Sequence, residues 1–185
     1  MSMHLDALDL LKHDHRIVEQ LFLDYEIAKS DEQRRGVVEI LVRELSKHAA
    51  LEELTVYPFA RRYLPDGTVD VDEHLAEHMA VKKTLAALDR LPKGAQEEQS
   101  LVAELRHEID HHVAEEESEF MPALRNAVDQ QALDELGDKL GKAKRLAPTR
   151  PHPNIPDQPP GEAVLGALAA VYDRARDRVQ RRPIT

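Results

Sequence analysis

Cysteine and tryptophan are both missing from this chain of 185 residues. Without cysteine there can be no disulfide, no thiolate-held zinc and no thiol nucleophile. Aromatic side chains make up only 4% of the sequence, so a core has to be aliphatic, built mainly from leucine, valine and alanine. No apolar run approaches the roughly 18 residues that a membrane span needs. The opening MSMHLDALDLLKHDH carries acids and histidines too early for a secretory or transit leader. The expectation is a soluble, cytoplasmic protein without membrane contact. Basic charge is also short, since the formal net charge is −10. That balance argues against a nucleic-acid partner, whose phosphates reward lysine and arginine. The charge is unevenly placed: residues 147–185 carry a net +2, leaving −12 on residues 1–146.

What is present is 42% hydrophobic and 32% charged residues, enough apolar material for one domain with an appendage. There are ten histidines, a high number, and their positions carry the information. From Met3 to about Lys144 the chain lacks strand-like alternation and is rich in strong helix formers. Breakers divide it. A first helix is predicted from about Leu5 to Lys29, before the capping pair Ser30-Asp31. A second runs to about Tyr63, ahead of the turn signal Leu64-Pro65-Asp66-Gly67. A third spans roughly Val71 to Arg90, a fourth roughly Gln96 to Val128, and a shorter one about Gln130 to Lys144. Long helices joined by short loops predict antiparallel neighbours, hence an all-α, up-down-up-down four-helix bundle over residues 1–146.

Each helix carries one seam. On the first, Leu8, Leu11, His15, Val18, Phe22 and Tyr25 step by 3, 4, 3, 4, 3. On the second, Val38, Leu41, Leu45, His48, Glu52, Val56 and Phe59 step by 3, 4, 3, 4, 4, 3. Val71, His74, His78, Val81, Leu85 and Leu88 mark the third seam, and Leu105, Ile109, His112, Glu116 and Phe120 the fourth. These stripes face a core, yet each is interrupted near its middle by ionisable residues. An internal repeat sharpens the pattern. His48-Ala-Ala-Leu-Glu52 before Pro58 resembles His112-Val-Ala-Glu-Glu116 before Pro122, and Asp14-His15 resembles Glu77-His78, at offsets of 64 and 63 residues. Two similar helix pairs related by a pseudo-two-fold would place equivalent groups around one centre.

Residues at i and i+4 share a helix face, so His48/Glu52, His74/His78 and His112/Glu116 each present a pair. With His15 this gives five imidazoles and two carboxylates converging from four helices. Burying them unpaired is prohibitive, since one unsatisfied polar group costs roughly 1–3 kcal/mol. Metal coordination removes that cost, and this donor set suits iron, manganese or zinc rather than calcium or magnesium. Seven ligands exceed what one ion takes, which points to two ions.

The set His15, His48-x3-Glu52, His74-x3-His78 and His112-x3-Glu116, with the strings LLKHDHRIVEQLF and HHVAEEESEFMP, resembles the hemerythrin-like (HHE cation-binding) family over residues 5 to about 126. That resemblance implies a bundle around two iron ions, a non-haem di-iron centre with an oxo or hydroxo bridge. It also implies that Glu52 and Glu116 bridge the irons, one iron taking three histidines and the other two. Two octahedral ions offer about 12 positions. Five histidines, two bridging carboxylates and a single-atom bridge leave one open, where O2, peroxide, azide or nitric oxide would bind. Two functions follow: an oxygen or nitric oxide carrier, sensor or iron buffer, or a catalase-like enzyme that disproportionates hydrogen peroxide. A sensor would usually need an output domain, which ranks sensing lower. A third reading is structural, with zinc or no metal, the bundle serving to present the tail.

Other residues read differently. His107-x3-His111-x3-Glu115 is a rival face, but it continues through Glu104, Glu108 and Ser118 and reads as solvated; the proline alignment selects His112. Glu53 and Glu117 fall off the seam, and His4 and His13 read as exposed. Tyr57 and Tyr25 read as core tyrosines, with hydrogen bonding to site ligands as the alternative. Leu11, Phe22, Phe59, Val81, Ile109 and Phe120 are candidates for an apolar pocket. Residues 148–160 hold six prolines in 13 positions, which fits a linker or an extended strap, with His152 at the surface. Beyond it Val164, Leu168, Val171, Ala175 and Val179 trace a helical stripe. The extension, residues 147–185, could dock on the bundle, pair with a second copy or meet another protein.

Overall fold

A computed structural model describes residues 5–64, 71–154 and 161–179, and the side chains of the last helix over 169–178. Six helices, and no strand, occur among the described residues. Helix α1 spans Ala7–Ile27 and is capped by Asp6, whose carboxylate accepts from the backbone N–H of Leu8 and Asp9. Helix α2 starts at Asp31 under a Ser30 cap and continues to Tyr63, with a single π turn over Glu52–Val56. Helix α3 is Val71–Arg90. Helix α4 runs from Glu98 to Ala127 with its own π turn over Glu116–Phe120. Helix α5 is Gln130–Lys144, capped by Asp129, and α6 is Gly161–Val179. The α3–α4 connection turns at Gly94, whose φ of 77° suits a residue without Cβ. No described helix is long and apolar enough to cross a membrane.

The first four helices pack as consecutive antiparallel neighbours, as their spacing predicts. The two π turns were not foreseen. They answer a steric problem: Pro58 and Pro122 have no N–H and would strike the carbonyl four residues back in a regular helix. Widening the turn lets the preceding residue bond five back instead, Tyr57 to Glu52 and Met121 to Glu116.

Two apolar clusters fill the bundle. One joins Leu8, Leu11, Val56, Leu75, Phe120 and Leu124 with Leu133, Leu136 and Leu140 of α5, which closes that end. Close contact there depends on Gly137, where a Cβ would stand 3.0 Å from the backbone nitrogen of Ala7. The other gathers Val18, Phe22, Leu41, Leu45, Val81, Leu85, Leu105 and Ile109. Between them lies a layer of buried ionisable side chains.

The start of the segment after α5 touches both the bundle and α6. Ala147 is buried in the first cluster, and Arg150 is buried between Asp89 at the end of α3 and Asp177 of α6, at 2.7 and 2.8 Å. The backbone N–H groups of Thr149 and Arg150 both donate to Asp173. His152 pairs with Asp173 at 2.9 Å and is half-buried rather than fully at the surface. This polar anchoring orients α6 differently from its apolar stripe: Ala170 and Asp173 face inward, while Val171 and Ala175 face solvent. The prolines at 156, 159 and 160, and the side chains of Val164, Leu168 and Val179, lie outside the described residues.

Candidate metal centre

All seven seam residues meet in the polar layer, each at most 7% exposed. Their grouping is two-lobed. His15, His48, Glu52 and Glu116 bring one ligand atom each within 4.8 Å of one another. Glu52 does the same with His78 and His112, and Glu116 with His74 and His112. Two histidines therefore stand on one side and three on the other, with both carboxylates reaching both sides. Nε2 of His78 lies 3.1 Å from Nε2 of His112 and 3.2 Å from Glu52. Nε2 of His48 is 3.2 Å from Glu52, and Nε2 of His15 is 3.4 Å from Glu116.

These contacts leave lone pairs over. Nε2 of His15 and His48, both oxygens of Glu52 and one oxygen of Glu116 are buried without a hydrogen-bond partner. Native interiors rarely tolerate such atoms, and several of them aimed at one another mark a place for a cation. Nitrogen and carboxylate oxygen in this mixture fit a first-row transition metal.

A second ring of carboxylates stands behind the imidazoles, and sequence reasoning missed its role. Nδ1 of His15 is 2.9 Å from Glu117, Nδ1 of His78 is 2.9 Å from Glu53, and Nδ1 of His112 is 2.8 Å from Glu77. Nδ1 of His48 faces Asp14 at 3.9 Å. The ring obeys the repeat: Asp14 of α1 serves α2 as Glu77 of α3 serves α4, and Glu53 serves α3 as Glu117 serves α1. Such partners fix the tautomer that turns Nε2 inward. The signal was present, since each of these acids adjoins a seam ligand in sequence.

The electrostatics follow from this crowding. Burial disfavours charge on His48, but the carboxylates of Glu52 and Asp14 outweigh it and raise its pKa to about 10. Burial likewise opposes His112 and His78, yet the surrounding carboxylates hold both above the ordinary histidine value. Burial would raise Glu52, but His48, His112 and His78 hold it well below the carboxylate range. The hydrogen bond from His112 keeps Glu77 at about 2. Protons and a metal would thus compete for the same lone pairs.

Tyr57 is no plain core tyrosine. Its hydroxyl donates to Glu116 at 3.2 Å and lies 3.1 Å from Nε2 of His78, while burial and the nearby carboxylates push its pKa well above 10. Tyr25 lies in the other cluster and donates to Glu98. His13 and His111 are exposed, and His4 falls outside the described residues. Of the pocket candidates, Leu11 and Phe120 flank the layer on one side and Phe22, Val81 and Ile109 on the other. Phe59 instead packs on Tyr63 at the periphery. A cavity of about 330 Å³ between α1 and α4 reaches inward as far as His15 and Glu117.

Comparison with known proteins agrees with this geometry. The chain is 27% identical over 176 residues to an uncharacterized hemerythrin-like protein of Schizosaccharomyces pombe, covering 95% of this chain and 87% of that one. It is 25% identical over 136 residues to a DNA nickase of Nostoc, covering 74% of this chain but only 38% of the nickase. The crystal structure of a hemerythrin HHE cation binding domain-containing protein from Mycobacterium kansasii superposes with a TM-score of 0.65. At 24% identity, and covering 76% of this chain and 86% of the other, that likeness speaks for the fold. Residues 6–124 match the family described as Hemerythrin HHE cation binding domain, nearly the whole bundle and every seam ligand, and the chain belongs to that family.

Proposed function

We propose that the protein holds two iron ions and binds O2, peroxide or nitric oxide there. His15 and His48 would hold one ion and His74, His78 and His112 the other, with Glu52 and Glu116 shared. One observation carries this reading: the partnerless buried lone pairs of His15, His48, Glu52 and Glu116 converge on a single layer sealed by apolar residues above and below. Iron held in that layer would supply redox chemistry and an open coordination position for a small ligand.

The remaining contributions belong to the chain itself. Leu11, Phe120, Phe22, Val81 and Ile109 keep bulk water from the layer. The Tyr57 hydroxyl offers a hydrogen-bond donor inside it. The cavity between α1 and α4 gives a small molecule a way in beside His15. Glu53, Glu77 and Glu117 hold the imidazoles in register.

A second reading is catalase-like disproportionation of hydrogen peroxide, in which the Tyr57 hydroxyl would donate a hydrogen bond to the peroxide. The nickase likeness covers less than half of that protein, and the net charge of −10 weighs against DNA as a ligand here. The lack of cysteine fits a cytoplasmic setting. Elemental analysis of untagged protein purified aerobically is the decisive first test. Two irons per chain is the expected result; zinc or no metal would remove the redox function. With iron present, rapid O2 evolution on adding peroxide would select the enzyme. A spectrum formed under O2 and reversed by degassing would select the carrier.

A further inference from the structure

A second cluster lies directly outside the three-histidine side. The face that reads as solvated in sequence, His111 with Glu115, meets Glu77 across the α3–α4 interface. Nε2 of His111 is 3.4 Å from Glu115 and 3.5 Å from Oε1 of Glu77. His74, Glu77 and Glu115 bring one ligand atom each within 4.8 Å of one another. His74 is only 5% exposed, and its Nδ1, buried and without a hydrogen-bond partner, lies 3.5 Å from Oε2 of Glu77. Glu77 therefore straddles the boundary. One oxygen faces His112 and His74, and the other faces the exposed His111.

We propose that Glu77, His111 and Glu115 form a surface site that captures a divalent first-row transition-metal ion on its way to the buried centre. The proposal rests on the metal centre described above. One imidazole and two carboxylates, partly in water, hold such an ion with fewer donors than the inner set and release it more readily. His74 links the two sites, since it belongs to one ligand group with Glu77 and Glu115 and to another with His112 and Glu116. A fully buried centre needs such a step. On the three-histidine side His74, His78 and His112 are buried, whereas His111 is exposed and Glu115 half-exposed beside it.

The test uses the full chain freed of metal and mixed anaerobically with limiting Co²⁺. Absorption of bound cobalt gives the rate of filling, and metal analysis after desalting gives the final content. His111→Ala and Glu115→Gln should slow filling by about tenfold, the scale on which an outlying partner affects metal binding. The final content should match that of the unaltered protein. Glu104→Gln removes a charge from an exposed position of the same helix and should leave the rate unchanged. If the His111 and Glu115 variants fill at the unaltered rate, or if Glu104→Gln slows filling as much as they do, capture at this cluster is overturned while the centre stands. If the unaltered protein keeps no metal after desalting, the centre and the capture site fail together.

Discussion

Nδ1 of His78 lies 2.9 Å from one oxygen of Glu53, and the ammonium of Lys82 lies 2.5 Å from the other. Burial would raise the Glu53 carboxyl, but His78 and Lys82 outweigh it and keep it ionised below the usual carboxylate range. Glu53 thus orients an inner imidazole while being held by a buried cation. Glu117 does the same for His15, but its partner Arg16 is exposed and Glu117 itself is only half-buried. Glu53→Gln should therefore speed metal loss to a chelator by about tenfold or more. Glu117→Gln should act in the same direction and less. Equal loss rates in all three proteins would show that these carboxylates do not support the ligands.

His74 breaks the pseudo-two-fold, because the repeat places Leu11 at its equivalent position 63 residues earlier. Removing it should leave the His15–His48 side intact and weaken only the other. His74→Ala is expected to retain about one iron per chain where the unaltered protein retains two, with helicity by circular dichroism preserved. Glu116 belongs to both sides, so Glu116→Ala should lose more metal than His74→Ala. If both variants kept two irons, the ligand assignment would be wrong.

Much of this arrangement is legible in the sequence, for a definable reason. Seam residues recur at steps of 3 and 4, so His15, His48, Glu52, His74, His78, His112 and Glu116 announce themselves as polar residues in apolar positions. Consecutive steps of 4, His48 to Glu52 to Val56 and His112 to Glu116 to Phe120, also recorded the two π turns. A regular helix drifts off its seam over such a run, and the wider turn restores the register. The outer carboxylates were harder to read. Glu53 and Glu117 sit one residue from the seam, about 100° around the helix, so their partners lie on neighbouring helices that a one-helix periodicity does not describe. Tyr57 is off the seam for the same reason. The anchoring of Arg150 depends on Asp89 and Asp177, residues 61 and 27 positions away, and no local pattern links them.

Asp6 predicts a specific acid response. It caps α1, receives Gln130 at 2.9 Å and pairs with Arg125 at 2.9 Å, joining the start of α1 to the end of α4 and the start of α5. Burial would raise its pKa, but these hydrogen bonds and the Arg125 charge outweigh it and place it below 3.8. A lowered carboxyl stabilises the fold above its unfolded pKa, and that share is lost as pH falls through the folded value. Asp6→Ala should cost about 1–2 kcal/mol at pH 7, the scale of a lost helix cap. The difference between the two proteins in urea unfolding should shrink as pH drops below about 4. A difference that stayed constant down to pH 2 would place the effect elsewhere than in the charge.

Arg150 decides how the extension is held. Its guanidinium is 2% exposed and bridges Asp89 of the bundle to Asp177 of α6. Removing one member of a buried charge group costs up to about 3–5 kcal/mol. That cost can be relieved locally, because α6 can leave and return Asp177 to water. We propose that residues 1–146 form the metal-binding unit and that 147–185 are added to it through this contact. Arg150→Ala should then expose α6 to limited proteolysis and to hydrogen exchange, while α1 to α4 keep their protection. Metal content should stay that of the unaltered protein, since the seven ligands lie within residues 15–116. Loss of metal together with loss of α6 protection would mean instead that the extension is part of the unit that holds the centre.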